Sequence, residues 1–122
     1  MYTASVPTFE VYIYLGRRHG YTDELNDLED IKVLCDKFVE CGLCVTIQEL
    51  EYIYTGGREP GVKIGLINYP RFPSTEDKIM KQAHDLAEML MKETNQFRCT
   101  VVNDSRIYLL ENKDMPAEFE DK

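Results

Sequence analysis

The stretch Phe9-Glu-Val-Tyr-Ile-Tyr-Leu15 alternates without a break. Phe9, Val11, Ile13 and Leu15 fall on one side; Glu10, Tyr12 and Tyr14 fall on the other. Period two, built from β-branched and aromatic residues, is a strand with one apolar face. Such a face has to be covered, and a cover comes from elements whose apolar residues repeat at the helical period. Two segments have that period. Leu28, Ile31, Leu34, Cys35, Phe38 and Val39 follow Asn26-Asp-Leu-Glu29, a capping box, and precede Gly42, a left-handed C-terminal stop. The first helix is therefore predicted over 27–41. The second, capped by Ser74, is predicted over 75–93, with Ile79, Ala83, Leu86, Ala87 and Leu90 facing the core.

The remaining strands follow from turn signals. Leu43 to Tyr54 is long, with Val45 and Ile47 on one phase and Leu50, Tyr52 and Tyr54 on the other. A change of phase implies a bulge near Gln48 to Leu50. Thr55-Gly-Gly-Arg-Glu-Pro-Gly61 is expected as a loop, and Val62 to Asn68 as the strand that closes a hairpin. A second hairpin, Phe97–Val102 with Arg106–Glu111, crosses Asn103-Asp-Ser105. The order β-α-β-β-α-β-β makes an α+β domain: a five-stranded, mostly antiparallel sheet with two helices on one face, a ferredoxin-like variant. One domain over 8–111 is expected between a flexible N-terminus, 1–7, and an acidic C-terminal tail, 112–122.

Charge limits the partners. Against 14 Lys+Arg stand 22 Asp+Glu, so 14 − 22 = −8 with both histidines neutral. A chain this acidic does not coat long nucleic acid, whose nonspecific binding comes from phosphate neutralisation. No run approaches the ~20 apolar residues of a membrane span. Met1 to Pro7 has neither a basic nor an apolar signal region, so a cytoplasmic protein with reduced thiols is expected.

Catalytic signatures are missing. Cys41-Gly-Leu-Cys44 has C-x-x-C spacing, and a zinc site would need two more ligands from Cys35, Cys99, His19 and His84. The pair follows a helix C-terminus, whereas redox pairs use a helix N-terminus to acidify the thiol. Thiols holding no metal are the expectation, with no cofactor. No serine or cysteine sits in a nucleophile elbow, and no H-x-x-x-H pair exists. The Thr55 to Gly61 segment lacks the G-K-[ST] ending of a phosphate-binding loop. The expectation is a protein that is not an enzyme.

Binding chemistry is better represented. Tyr69-Pro-Arg-Phe-Pro73 holds two aromatics and a guanidinium in a stiff array. Arginine pairs with phosphate through its planar fork, and an aromatic face stacks on a base. The alternative makes Tyr69 and Phe72 core plugs and Arg71 a surface residue. The arginines are Arg17, Arg18, Arg58, Arg71, Arg98 and Arg106, and five lie in or beside predicted loops. If they converge, the ligand is a small phosphorylated nucleotide. Tyr12 and Tyr14, with Met80, Met89 and Met91, leave amphipathic surface of the kind that marks a homo-oligomer.

Gly61-Val-Lys-Ile-Gly-Leu-Ile-Asn-Tyr-Pro-Arg-Phe-Pro73, with the Gly16 to Tyr21 loop and Leu43-Cys-Val-Thr-Ile47, resembles small proteins of tailed phages. The chain is similar, over about Thr8 to Glu111, to the phage anti-Thoeris sponge family, Thoeris anti-defence one. The resemblance implies a sheet with two helices that assembles into dimers and hexamers in the host cell cytoplasm. It implies binding, without cleavage, of a small cyclic nucleotide messenger: a cyclic ADP-ribose isomer, and in some members a cyclic oligonucleotide. Arginines for the diphosphate and aromatics for adenine are assigned to Arg17, Arg18, Arg58, Tyr69, Arg71, Phe72, Arg98 and Arg106. The alternative is an acidic phage protein that inhibits a host nuclease or CRISPR effector by direct protein binding. An enzyme acting on such messengers would need a metal or nucleophile set that the sequence does not display.

Overall fold

The computed structural model describes residues 1–115. In chain order the elements are β1 (Glu10–Gly16), α1 (Leu28–Phe38), a 3-10 turn (Val39–Cys41), β2 (Thr46–Tyr54), β3 (Gly57–Ile67), α2 (Glu76–Glu93), β4 (Arg98–Val102) and β5 (Ile107–Glu111). The sheet has the order β2-β3-β1-β4-β5, and every neighbouring pair is antiparallel. This is the expected α+β plan, with β5 added beyond β4. The crossing through α1 carries the chain to the edge strand β2, whose hairpin returns β3 beside β1, and the crossing through α2 places β4 on β1's other side.

The core follows the two periods in the sequence. Val11, Ile13 and Leu15 of β1, Val62 and Ile64 of β3, and Val101 of β4 are fully buried on one face of the sheet. Ile79, Ala83, Leu86, Ala87, Leu90 and Met91 of α2 and Ile31 and Cys35 of α1 cover them. Each large apolar side chain so buried contributes about 1.5–3 kcal/mol. The other sheet face carries Tyr12, Tyr14, Leu50, Tyr52 and Glu59, and no helix among the described residues covers it.

Several local expectations are corrected. The first helix is capped by Asp27, whose carboxylate accepts from the Glu29 N–H at 3.0 Å. Asn26 instead turns its amide to the Thr94 carbonyl at 2.8 Å and so joins the two helix ends. Thr75, not Ser74, caps α2 and accepts from the Lys78 N–H. No bulge interrupts β2: its register against β3 is constant from Thr46↔Gly65 to Tyr54↔Gly57. The two apolar phases simply serve two faces, with Ile47 against the helices and Leu50 and Tyr52 on the far side. The expected 55–61 loop is a turn at Thr55–Gly56, with Gly56 at φ 86°, and β3 starts at Gly57. The acidic tail starts with Asn112, whose N–H donates to the Phe97 carbonyl at 2.8 Å, and Asp114 lies 3.3 Å from Lys92. From 116 onward it lies outside the described residues.

Candidate functional site

On the face that the helices leave bare, β3 presents glycine at every fourth residue: Gly57, Gly61 and Gly65. Each makes room for a tyrosine ring. A Cβ on Gly61 would stand 2.6 Å from Tyr52 Cε2, one on Gly65 2.9 Å from Tyr12 Cε1, and one on Gly57 2.9 Å from Tyr54 Cε2. Glycine is used here for its missing side chain, since none of these three has a left-handed backbone. The rings lie down across the strand, and Glu59 and Lys63 stand between them. Lys63 Nζ sits 4.1 Å from the Tyr12 ring centroid, a cation–π contact.

Near the C-terminal end of β1 these residues surround a hollow of about 300 Å³, lined by Tyr14, Gly16, Tyr52, Tyr54, Glu59, Gln96, Arg98, Thr100 and Leu109. The Glu59 carboxylate lies directly over Gly16: a Cβ there would be 2.9 Å from the carboxyl carbon and nearer still to Oε2. Gln96, almost buried, stands beside it and donates to the Arg18 carbonyl. The loop that closes this end is tied at several points. Arg17 N–H donates to the Pro60 carbonyl at 3.0 Å, Arg18 Nη2 to the Arg58 carbonyl at 2.8 Å, and Gly20 N–H to the Asn95 carbonyl at 2.8 Å. Arg98 Nη1 reaches the Tyr21 hydroxyl at 3.2 Å, and the Tyr21 ring stacks on Phe97 with centroids 4.6 Å apart.

The electrostatics are those of a partly dried pocket. Burial raises the Glu59 carboxyl above the usual carboxylate range, and Arg18 offsets only part of that. Burial pushes the Tyr52 phenol up to about 12, with the Glu59 charge adding to it. Tyr52 is therefore a neutral hydrogen-bond donor at physiological pH. A carboxylate that has lost water, bounded by aromatic faces, suits a cation carried on an apolar body. No three His, Cys, Asp or Glu side chains gather to hold a metal ion among the described residues. Cys35, Cys44 and Cys99 are free thiols, the first and last of them buried. No helix among the described residues is long and apolar enough to cross a membrane.

The expected site residues are divided between the two ends of the sheet. Arg17, Arg18, Arg58 and Arg98 lie at the hollow's end; Tyr69, Arg71, Phe72 and Arg106 lie at the other. The six arginines thus do not surround one cavity. Only Arg98 lines the hollow. Arg17 and Arg18 donate to backbone carbonyls, Arg17 Nε to that of Asn26 at 3.0 Å, and so hold the loop. Arg58, on a strand rather than a loop tip, points away from Glu59 and lies 3.8 Å from Glu51. Tyr69 and Phe72 are not core plugs either, being 43% and 59% exposed. Sequence reasoning missed Tyr14, Gly16, Tyr52, Tyr54, Glu59 and Gln96. The four-residue glycine spacing on β3, opposite tyrosines on β1 and β2, is the signal that marks most of them.

No family model matches the chain, and no curated protein matches it by sequence. Solved structures do share the fold. A phage SAM lyase in its apo state superposes with a TM-score of 0.70 at 17% identity, covering 88% of this chain and 92% of that one. A phage SAM lyase in complex with S-methyl-5'-thioadenosine gives 0.68 at 16% identity, covering 95% and 98%. These structures represent a different family from the anti-Thoeris sponges. The expectation that the chain is not an enzyme is corrected by this likeness: the structures that share its fold are of a lyase. A missing catalytic signature in the sequence therefore carries no weight against enzymatic activity.

Proposed function

We propose that the chain is a phage anti-defence protein that binds S-adenosylmethionine in the hollow over Gly16 and cleaves it, releasing methylthioadenosine. The observation that carries this reading is the half-buried Glu59 carboxylate over Gly16, set among Tyr14, Tyr52 and Tyr54. S-adenosylmethionine presents a sulfonium cation between an adenosine and an amino-acid tail. Glu59 and the tyrosine faces suit the cation, the Tyr52 phenol and Gln96 suit polar groups of the nucleoside, and Arg98 at the rim suits the tail carboxylate. The fold shared with a SAM lyase supports the same reading.

Cleavage turns a sulfonium into a neutral thioether. The electron pair of the breaking C–S bond stays on sulfur. The bond lost at carbon is made good within the substrate by its own carboxylate oxygen, which closes a lactone as the thioether leaves, so no water enters. Positive charge disperses in that transition state, and a pocket poor in water favours charge dispersal over the charged ground state. The chain's tasks are then to orient the tail, exclude water and keep Glu59 ionised beside the sulfur. Acting in the host cytoplasm, the protein would deplete the methyl donor there. The exposed Leu109 on the hollow's lining, and the exposed Ile107 further along β5, support assembly with a second copy.

The test is incubation of the purified protein with S-adenosylmethionine and mass spectrometry of the products, alongside Glu59→Gln. Methylthioadenosine from the wild type, and at least tenfold less from the variant, is expected. Binding without turnover would remove the lyase reading, and cyclic ADP-ribose isomers would be the next ligands to titrate. Neither binding nor turnover would remove this hollow as the site of S-adenosylmethionine recognition.

A further inference from the structure

At the opposite end of the sheet lies a second hollow, of about 240 Å³, between the α1–β2 connection, the end of β3 and the first turns of α2. Tyr69 and Phe72 form one wall, Cys44 and Lys78 lie on the lining, and Ile79 closes the bottom. Three features of this place have no structural task to explain them.

The first is the aromatic pair. Tyr69 and Phe72 stack on each other with centroids 6.2 Å apart, yet both are exposed. The second is the stiffness of the turn that presents them. Phe72 N–H donates to the Tyr69 carbonyl at 2.9 Å, Pro70 and Pro73 restrict the backbone, and Asn68 fastens both ends. Its Nδ2 donates to the Pro7 carbonyl and its Oδ1 accepts from the Ser74 N–H, both at 2.9 Å. A rigid turn that leaves about half of each aromatic ring exposed takes only part of the burial gain those rings could give to folding. It does lower the cost of ordering a binding surface. The third is charge. In a chain with 22 acids, Arg71 and Lys78 form no ion pair among the described residues. The Arg71 guanidinium lies 5.7 Å from the Phe72 ring centroid, and Glu76 and Asp77 are in the first turn of α2, where its dipole favours them.

We propose that this hollow is a second ligand site, separate from the one over Gly16, and that it takes a flat aromatic ring bearing an anionic group, such as a nucleoside monophosphate. The ring extends the Tyr69–Phe72 stack, and the anion meets Lys78 on the lining, with Arg71 outside the lining on the Phe72 ring. A small cavity beside a stacked pair fits one nucleotide rather than a polymer. The proposal does not depend on the lyase reading.

Cys44, exposed on the lining, gives a local reporter. Adenosine monophosphate is titrated into the wild-type chain by saturation-transfer NMR, and the alkylation rate of Cys44 is followed by mass spectrometry in a Cys41→Ser background. Saturation of the adenine protons and slower Cys44 alkylation are expected, with inorganic phosphate giving neither. Phe72→Ala should weaken binding about tenfold, the loss that one base–aromatic stack carries. Lys78→Gln should weaken the monophosphate more than adenosine. No saturation transfer in the wild type overturns the proposal. So does protection that survives Phe72→Ala but is lost in Gly16→Ala, since that places the nucleotide in the other hollow.

Discussion

Replacing Gly16 by alanine tests the site over β1 more sharply than removing Glu59 does. Gly16 is buried at the end of β1, opposite Gly61, and its φ is not left-handed, so alanine fits the backbone. What alanine meets is function. The new methyl would stand 2.9 Å from the Glu59 carboxyl carbon and 2.9 Å from Gln96 Oε1, and closer to Glu59 Oε2. These are ends of flexible side chains, so the carboxylate swings away by roughly 1 Å or more to regain ordinary contact distance. Folding loses little, because alanine in a strand recovers about 0.5–1 kcal/mol of backbone entropy relative to glycine. Binding loses one charge-assisted contact, about 1.5–3 kcal/mol, or about 10- to 150-fold in affinity. Gly61→Ala is the contrast. There the methyl would stand 2.8 Å from the Leu15 carbonyl, which belongs to the β1–β3 ladder, and 2.6 Å from Tyr52 Cε2. Backbone cannot swing away, and an overpacking cost of about 1–3 kcal/mol falls on stability. Calorimetric titration with S-adenosylmethionine and thermal melts of both variants separate the two effects. Gly16→Ala should melt within about 5 °C of wild type, since 1 kcal/mol moves Tm by about 4–8 °C in a small domain. Unchanged affinity at an unchanged Tm would refute the placement of Glu59 against the ligand.

Three further outcomes follow from the same coordinates. Burial pushes the Cys35 and Cys99 thiols up to about 11, so at pH 8 about one in a thousand is thiolate; iodoacetamide should label Cys44 in the folded protein and those two only after denaturation, and early labelling of either would contradict the burial. Glu59 is raised by burial, so the folded state holds its proton to higher pH than the unfolded chain and stability falls as pH rises from the unfolded value through the folded one. Glu59→Gln should therefore gain stability on wild type at pH 7 and lose that advantage below about pH 4, where both states are protonated; a urea-melt difference that is equal at both pH values would count against it. Leu86 is fully buried where α2 meets the sheet, and Leu86→Ala should cost about 2–5 kcal/mol in a denaturant melt, with under 1 kcal/mol pointing to a looser core.

The sheet, the helices and their order are legible because a period of two and a period near 3.6 each commit one face to the core. Val11, Ile13 and Leu15 call for a cover, and Ile79, Ala83, Leu86 and Leu90 are spaced to provide it. The candidate site is less legible for a physical reason. Glycine has one symbol and two uses: it permits a left-handed turn, as at Gly56, and it removes a side chain so that a neighbour can lie across the strand, as at Gly61. Along Gly56-Gly57 to Gly61 both uses occur in succession, and reading them as one loop hid Glu59 on a strand, facing Tyr52. The caps moved by one residue because Asn26-Asp27 and Ser74-Thr75 each offer two competent side chains, and tertiary contacts choose between them. The Asn26 amide is taken by the Thr94 carbonyl, and the Ser74 backbone N–H is held by Asn68 Oδ1 outside the helix.

Charge, the awkward feature for a phosphate-binding reading, also looks different once Glu59 is seen in its hollow. A chain at −8 opposes the approach of a dianion, and several converging arginines would have to overcome that. They do not converge: Arg17 is committed to the Asn26 carbonyl of its own loop, Arg18 to the Arg58 carbonyl on β3, and Arg58 faces Glu51. For a sulfonium the same surplus of acid acts in the ligand's favour at any range within the ~8–10 Å screening length. Inside that range the half-buried Glu59 supplies the short-range part. The released thioether is neutral and feels neither effect. On the lyase reading proposed above, a site built on one half-buried carboxylate would hold the charged substrate more strongly than its product, and that difference would let the hollow empty after each cleavage.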